Sequence, residues 1–141
     1  MADPARGPEF VQEIIAAPED IDELGHVSNV VYVRWIQDVA RAHSNAVGWD
    51  ADAYRRTGGI FVVRKHEIEY LAPAFAGDRI VLTTWIEGWA AASSPRMTRI
   101  ARADGTALAR ATTLWAYVAV ENGRPRRIPK EIVEAFTDVR S

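Results

Sequence analysis

A short segment near the amino terminus holds most of the residues that could do chemistry. It reads DIDELGHVSNVVY from Asp20 to Tyr32 and contains two aspartates, a glycine, a histidine and an asparagine. Carboxylates and imidazoles are the groups that enzymes use as general bases and nucleophiles. An apolar run with helical spacing follows directly, so these polar groups lie at the predicted start of a helix.

The start of that helix is itself suited to chemistry. The first backbone N–H groups of a helix have no intrahelical acceptor, and together they carry about half a positive elementary charge. Residues 27 to 30 would present such donors to a developing oxyanion. Gly25 permits backbone angles that a side chain would forbid, and it lets a ligand approach closely. The segment therefore predicts a carboxylate, acting as base or nucleophile, beside an oxyanion-binding helix end.

A purely structural explanation of the same residues stays open at this stage. Aspartate and serine favour turns and helix starts because their side-chain oxygens accept backbone hydrogen bonds. Asp20, Asp22 and Ser28 would then only cap turns and the helix, and His26 would be a surface loop residue. The combination of these residues, more than any one of them, favours a functional site.

Hydrophobic periodicity predicts one long helix and five strands as the frame for this segment. The helix spans about Asn29 to Val47, and His43 lies on its apolar face as a core or rim residue. The predicted strands are Phe10 to Ala16, Ile60 to Leu71, Arg79 to Trp89, Arg96 to Arg102 and Thr106 to Val120. A short helical piece near Asp52 to Arg56 and a closing helix over Pro129 to Phe136 complete the order.

This order predicts an α+β fold. A wide apolar helix face must be covered, and a curved antiparallel sheet is the only partner long enough. We expect a single domain over residues 9–137, with a flexible leader at 1–8 and a tail at 138–141. The segment from Ile60 to Val63 is apolar on both faces of its strand. Because exposed apolar edges promote pairing, we expect a second copy of the chain to cover this edge.

Composition excludes several classes of function. The chain has no cysteine, which removes disulfides, thiolate metal sites and a cysteine nucleophile. Its three histidines show no ligand spacing, so neither a metal nor another cofactor is expected. A net charge of −2 gives no basic footprint for nucleic acid. No apolar run is long enough for a membrane span, and no signal-peptide pattern is visible, so a cytoplasmic location is expected.

The opening segment resembles the D-x-D-x-x-G-H-V-x-N-x-x-Y signature of hotdog-fold acyl-CoA thioesterases of the 4-hydroxybenzoyl-CoA thioesterase superfamily. The later stretch VVRKHEIEYLAPAFAGDRI resembles the second-strand block of the same family, and the likeness covers roughly Phe10 to Phe136. In this family a five-stranded antiparallel sheet wraps one long helix. Two protomers pair through the second strand, and the active site lies at their interface. The resemblance thus implies a homodimer or dimer of dimers that acts on acyl-CoA.

The resemblance also assigns roles to individual residues. It implies that Asp22 and His26 are catalytic, with Asp22 as base or nucleophile and His26 orienting the carboxylate, donating to the carbonyl or positioning water. The implied substrate-binding residues are Gly25, Val27, Ser28, Asn29 and Tyr32. Asp20 is the competing carboxylate, but the single-aspartate form of the motif selects the position four residues before the histidine, which is Asp22.

One position departs from a related pattern. Plant-type acyl carrier protein thioesterases resemble D-x-N-x-H in this loop, whereas this chain has Leu24 where their asparagine would be. A mechanism that depends on that amide is therefore not expected.

Further candidates lie outside the opening segment. Arg64 and His66 are predicted to share a strand face with Ile68 and Tyr70, from which they would reach the pocket of a partner subunit. The alternative is an arginine paired with a neighbouring acid and a half-exposed histidine. A basic cluster would either hold coenzyme A phosphates or face water, and its members are Arg124, Arg126, Arg127 and Lys130. Packing or acyl-pocket lining is expected of Trp35, Trp85, Trp89 and Trp115.

Two functions of different class follow from these residues. The first is hydrolysis of an acyl-CoA thioester. The second is a non-catalytic module of the same fold that binds or senses acyl thioesters. A hotdog dehydratase ranks behind both, because those enzymes resemble a different motif with the histidine on the helix. The sequence leaves open the length of the acyl group and whether it is aromatic or aliphatic. It also leaves open whether the thiol is coenzyme A or an acyl carrier protein, and whether the assembly is a dimer or a tetramer.

Overall fold

The computed structural model describes residues 6–137. The predicted leader is therefore described only in part, and the predicted tail at 138–141 lies outside the described residues. The elements are β1 (Phe10–Ile15), a 3-10 turn (Pro18–Asp20), α1 (Asn29–Ala46), α2 (Ala51–Thr57), β2 (Gly59–Tyr70), β3 (Arg79–Ile86), β4 (Ser93–Arg102), β5 (Ala107–Ala119) and α3 (Lys130–Thr137).

The five strands form one antiparallel sheet in the order β1-β3-β4-β5-β2. The predicted turn at Asp104-Gly105 joins β4 to β5, and Gly105 adopts the positive φ of +96° that such a turn needs. This arrangement confirms the predicted α+β fold with a five-stranded antiparallel sheet and one long helix. Within the described chain, β1 and β2 are the two edges of the sheet.

Helix α1 packs its apolar face against the sheet. Ser28 caps its first turn, because the Ser28 Oγ accepts a hydrogen bond from the Val30 N–H at 3.4 Å. Ile36 and Val39 of the helix are fully buried against sheet residues that include Ile80 and Leu82. Burying each large aliphatic side chain of this kind contributes roughly 1.5–3 kcal/mol. The position of the Asp22 loop is therefore fixed by the packing of the helix that follows it.

A second apolar cluster fills the other end of the molecule. Ile132 and Phe136 of α3 pack there against Tyr117 of β5 and Ile86 of β3. The closing helix begins immediately after Pro129, as its predicted first-turn proline indicates. Helix α3 thus closes the sheet near the second half of α1.

Gly59 is a position of the sheet with no room for a side chain. A Cβ at this residue would overlap the ring and the hydroxyl of Tyr117, which is fully buried and whose hydroxyl is 2.6 Å from the Thr57 Oγ1. Gly59→Ala is therefore expected to lower the free energy of unfolding by roughly 1–3 kcal/mol. Gly88→Ala is the control, because nothing lies within 4 Å of its added Cβ. Equal denaturation midpoints for the two variants would contradict this expectation.

Candidate active site

The Asp22 loop is closed by its own hydrogen bonds. The Asp22 N–H donates to the His26 carbonyl at 2.8 Å, and the Gly25 N–H donates to the Asp22 carbonyl at 3.0 Å. The Asp22 Oδ1 accepts from the N–H groups of Leu24 at 2.9 Å and His26 at 3.3 Å. Gly25 has a φ of +84°, which a residue with a side chain rarely adopts. Two backbone donors thus orient the half-buried carboxylate, while its Oδ2 has no hydrogen-bond partner among residues 6–137.

Asp20 has a different environment from Asp22. It is only 5% exposed, its Oδ1 accepts from Arg34 at 2.8 Å, and its Oδ2 accepts from the Ala17 N–H at 3.1 Å. Burial alone would raise the pKa of Asp20, but the hydrogen bonds from Arg34 and Ala17 outweigh it and hold the pKa below its usual value. Both carboxylate oxygens of Asp20 are engaged in the fold. Asp22 is therefore the carboxylate of the pair with an oxygen left for a ligand.

The backbone donors at the start of α1 are fewer than the sequence predicted. The Val27 N–H donates to the Ala74 carbonyl at 2.8 Å, and the Ser28 N–H donates to the Asp20 carbonyl at 2.9 Å. The first contact joins the loop to the chain after β2, and the second joins it to the end of the 3-10 turn. Both amides therefore have acceptors within this chain, and their contact with substrate stays a prediction. Of the predicted donors, the Asn29 N–H alone has no acceptor among residues 6–137.

Tyr32 and His26 differ sharply in exposure. Tyr32 is 2% exposed, and its ring packs edge-on against Trp35 and Tyr70 with centroids 5.2 and 5.3 Å away. The ring belongs to the core of this chain, and its contact with substrate stays a prediction. His26 is exposed and lies edge-on to Phe75 at 5.4 Å. Its imidazole remains close in sequence to the fixed carboxylate and accessible to a ligand.

The side chains of Arg64 and His66 lie on different faces of strand β2. A β-bulge shifts the register between Val63 and Lys65, so that Val63 and His66 face the partly buried side while Arg64 is exposed. The prediction that Arg64 and His66 share a face is therefore wrong. The His66 Nδ1 is 2.9 Å from the Thr113 Oγ1, whereas its buried Nε2 has no partner among the described residues. Burial lowers the pKa of His66.

A cavity of about 740 Å³ lies between the second half of α1, α2 and the sheet. Six aromatic side chains line it, namely Trp49, Tyr54, Phe61, Trp89, Trp115 and Phe136. Of the two roles predicted for the tryptophans, packing or pocket lining, Trp89 and Trp115 have the second. Trp35 and Trp85 lie outside the cavity and are buried, with 3% and 8% of their surface exposed. The exposed residues Ile60 and Val62 lie at the cavity's rim on the free edge of β2.

The cavity and the Asp22 loop lie at different ends of α1 in one chain. Gln37 is the first cavity-lining residue on the helix, about 12 Å along the axis from Asn29 at the usual rise per residue. Ser44, which also lines the cavity, is about 22 Å from the same point. A ligand in the cavity would therefore be far from the Asp22 of its own chain.

Arg96 is a buried cation that lines this cavity. It is 4% exposed, and its Nη1 donates to the His43 Nδ1 at 2.9 Å and to the Thr84 Oγ1 at 3.1 Å. A guanidinium can only donate, so the His43 Nδ1 must accept and the ring must carry its proton on Nε2. Burial and the neighbouring charge of Arg96 lower the pKa of His43 to about 3. Burial lowers the pKa of Arg96 to about 10, which leaves it charged at neutral pH.

Sequence reasoning did not select Arg96, although a signal exists. Ser94, Arg96, Thr98 and Ile100 alternate along β4, and all four are buried. An arginine at an inward position of an alternating strand requires a partner or a ligand, because burying an unpaired charge is costly.

The stability of the protein is expected to fall as the pH is lowered from about 6.5 towards 3, because His43 is held neutral. In this range His43 binds a proton in the unfolded chain but not in the folded chain, so the free energy of unfolding rises with pH. The slope from this residue approaches about 1.4 kcal/mol per pH unit. His43→Gln keeps an acceptor for Arg96 but does not titrate. Urea unfolding between pH 4.5 and 6.5 should give a shallower slope for this variant, and equal slopes would contradict the expectation.

The remaining candidates lie at the surface. The three arginines of the basic cluster, Arg124, Arg126 and Arg127, are exposed, and Lys130 is 3.7 Å from Glu134. Among residues 6–137, no cluster of histidine, aspartate and glutamate could hold a metal ion. No helix in this part of the chain is long and apolar enough to cross a membrane.

A five-stranded antiparallel sheet around one long helix, with a carboxylate loop at the helix start, is the architecture of a hotdog-fold thioesterase. Residues 16–136 match the model of the thioesterase-like superfamily, and the chain belongs to that superfamily. This confirms the predicted family and the predicted enzyme class, a thioester hydrolase.

Individual relatives agree with this assignment. The acyl-CoA thioester hydrolase YbgC of Escherichia coli O6:H1 is 31% identical over 118 residues, which cover 84% of this chain and 88% of that protein. The chloroplastic acyl-acyl carrier protein thioesterase ATL2 of Arabidopsis thaliana is 27% identical over 83% of this chain and 62% of its own length. The structure of a 1,4-dihydroxy-2-naphthoyl-CoA thioesterase from Synechocystis shares the fold, with a TM-score of 0.86 at 20% identity over 94% of this chain and 98% of that one.

Proposed function

We propose that the protein is an acyl-CoA thioesterase that hydrolyses its substrate to a free acid and coenzyme A. The observation that carries this proposal is the Asp22 carboxylate, whose Oδ1 is fixed by two backbone N–H groups while its Oδ2 has no partner in the described part of the chain. The likeness to YbgC, which is named as an acyl-CoA thioester hydrolase, supports coenzyme A as the thiol.

The proposed reaction uses two groups of the loop. The Asn29 N–H donates to the thioester carbonyl oxygen, where negative charge develops, and a single donor of this kind is typically worth about 3–4 kcal/mol to the barrier. In one form of the mechanism, Asp22 takes a proton from water as the water oxygen attacks the carbonyl carbon. The C–S bond then breaks, and the coenzyme A thiolate leaves and takes the proton held by Asp22, which restores the carboxylate.

In the other form of the mechanism, Asp22 itself attacks the carbonyl carbon. The C–S bond breaks as an acyl anhydride forms on the carboxylate, and the coenzyme A thiolate leaves and takes a proton from solvent. Water then hydrolyses the anhydride, which releases the free acid and restores the Asp22 carboxylate. Both forms require a carboxylate at residue 22 and an oxyanion donor at the helix start. A thioester is already activated, so neither form needs a metal ion.

We further propose that the active site is completed by a second copy of the chain, in a dimer or a dimer of dimers. Twofold pairing through the free edge of β2 reverses the direction of α1 in the partner. The start of one α1 then faces the second half of the other, so that the Asp22 loop of one copy meets the cavity of its partner. The separation of loop and cavity within one chain supports this arrangement, and Val62 at the cavity rim is 38% exposed.

The direct test is the release of free thiol from a panel of short, long and aromatic acyl-CoA substrates, followed with a thiol reagent. We expect turnover with at least one class, and the same acyl groups on an acyl carrier protein would show whether the carrier matters. If no substrate in either panel releases thiol, the proposed activity is wrong.

The second candidate is a non-catalytic module that binds acyl thioesters. The observation that favours it is that the Asp22 side chain closes its own loop, as a purely structural aspartate would. Such a module would be stabilised against heat by acyl-CoA without turnover, and an Asp22 variant would bind as tightly as the parent.

A further inference from the structure

The cavity contains an unusual concentration of buried donors without acceptors. The indole Nε1 of Trp89, the Nε of Arg96 and the indole Nε1 of Trp115 are all buried, and none has a hydrogen-bond partner among residues 6–137. All three residues line the same cavity. Native proteins leave few buried polar groups unpaired, because each one loses its hydration without compensation. Three buried donors that find no acceptor among residues 6–137 indicate a ligand that accepts hydrogen bonds.

The charge of the cavity points the same way. No carboxylate among residues 6–137 lies within 4.0 Å of the Arg96 guanidinium, whose nearest polar partners are the neutral side chains His43 and Thr84. The cavity's own lining carboxylate, Asp50, is exposed and caps α2 through a 2.9 Å bond from the Ala53 N–H. The ring of Phe136 lies 5.7 Å from the guanidinium and offers only a cation–π contact. The buried positive charge therefore lacks an anion within the described chain.

The unused donors of Arg96 have the geometry of a carboxylate site. Both hydrogens of Nη1 are taken by His43 and Thr84. The Nε–H and Nη2 remain, and they form the side of the guanidinium whose parallel N–H groups bind both oxygens of one carboxylate. His43 and Thr84 thus position the guanidinium, and the opposite edge has no hydrogen-bond partner among residues 6–137.

We propose that this cavity receives an acyl group that ends in a carboxylate, and that Arg96 determines specificity for such ω-carboxyacyl thioesters. The aromatic walls cover the methylene or aryl part of the acyl group, and a cavity of about 740 Å³ suits a ligand of that size. This inference rests on the proposed function, because it takes the cavity as the place of the acyl group. It adds the chemical class of substrate to the reaction.

The experiment compares ω-carboxyacyl-CoA thioesters of four to ten carbons with straight-chain acyl-CoA thioesters of the same length. We expect the wild-type protein to prefer the ω-carboxy member of at least one pair by roughly 10- to 100-fold in kcat/KM, the ratio that one hydrogen-bonded ion pair supplies. Arg96→Met should remove that preference. Arg99→Met is the matched control, since Arg99 lies on the same strand with its side chain exposed, and it should retain the preference.

Binding measured by calorimetry separates this inference from the proposed function. Arg96-dependent binding of an ω-carboxyacyl-CoA without hydrolysis would support the cavity's specificity and overturn the enzyme. Hydrolysis without any preference for the ω-carboxy member would support the enzyme and overturn the inference. If Arg96→Met does not fold, Arg96→Lys replaces it. Lysine keeps the charge but lacks the two parallel N–H groups of the guanidinium, so it should lower the preference for the ω-carboxy member. An equal loss on both members of each pair would also overturn the inference.

Discussion

Asp22→Asn is expected to lower kcat for thioester hydrolysis by roughly 10²- to 10⁴-fold, the usual contribution of a positioned base, with the fold retained. The asparagine Oδ1 can still accept from the Leu24 and His26 N–H groups, so the loop should keep its closure. The free oxygen, by contrast, is replaced by an amide nitrogen that can neither accept a proton nor attack a carbonyl. Thiol release and the thermal midpoint, measured on the same preparation, check both halves of this expectation.

Two neighbouring carboxylates provide the controls. Glu23→Gln makes the same change of charge at an exposed position and should leave the rate unchanged. Asp20→Asn breaks the 2.8 Å pair with Arg34 at a buried position, so it should lower the thermal midpoint. Full activity in Asp22→Asn, or an equal loss in Glu23→Gln, would remove Asp22 from the proposed mechanism.

The fold was largely predictable because its periodic patterns are long. The apolar face of α1 repeats over five turns of helix, and its predicted span ends within one residue of the observed Ala46. The predicted start of β4 at Arg96 is wrong by three residues, although a proline such as Pro95 is rare inside a sheet because it cannot donate a backbone hydrogen bond. In the structure β4 begins at Ser93, and the Pro95 carbonyl accepts from the Glu87 N–H at 2.8 Å. Proline lacks only the donor, so it can still supply an acceptor.

The details that the sequence did not reveal depend on contacts between distant segments. The Val27 N–H donates to the Ala74 carbonyl, and the residues around Val27 in the sequence do not indicate that contact. The bulge at Arg64 follows from the pairing of β2 with β5, which a single strand's alternation does not encode. The choice between Asp20 and Asp22 came from the resemblance. The structure adds a physical reason for it, because Arg34 occupies the competing carboxylate.

The second large effect concerns the free edge of β2, through which the proposed dimer forms. Val62→Lys places a charge on this edge, where the strand of a second copy would pair. We expect the protein to become monomeric and to lose on the order of 100-fold in activity, because a composite site is highly sensitive to the placement of its parts. Sedimentation equilibrium gives the mass, and thiol release gives the rate.

Val11→Lys is the matched control, because Val11 is 57% exposed on β1, the opposite edge of the same sheet. It should change neither mass nor activity. Since Val62 also lies at the cavity rim, a lysine there could block the substrate directly. A concentration series distinguishes loss of the dimer from direct blocking of the substrate. If the partner completes the site, the mass and the specific activity of Val62→Lys must rise together as the protein is concentrated. A Val62→Lys monomer with the full wild-type rate would show that one chain suffices, and the composite site would then be wrong.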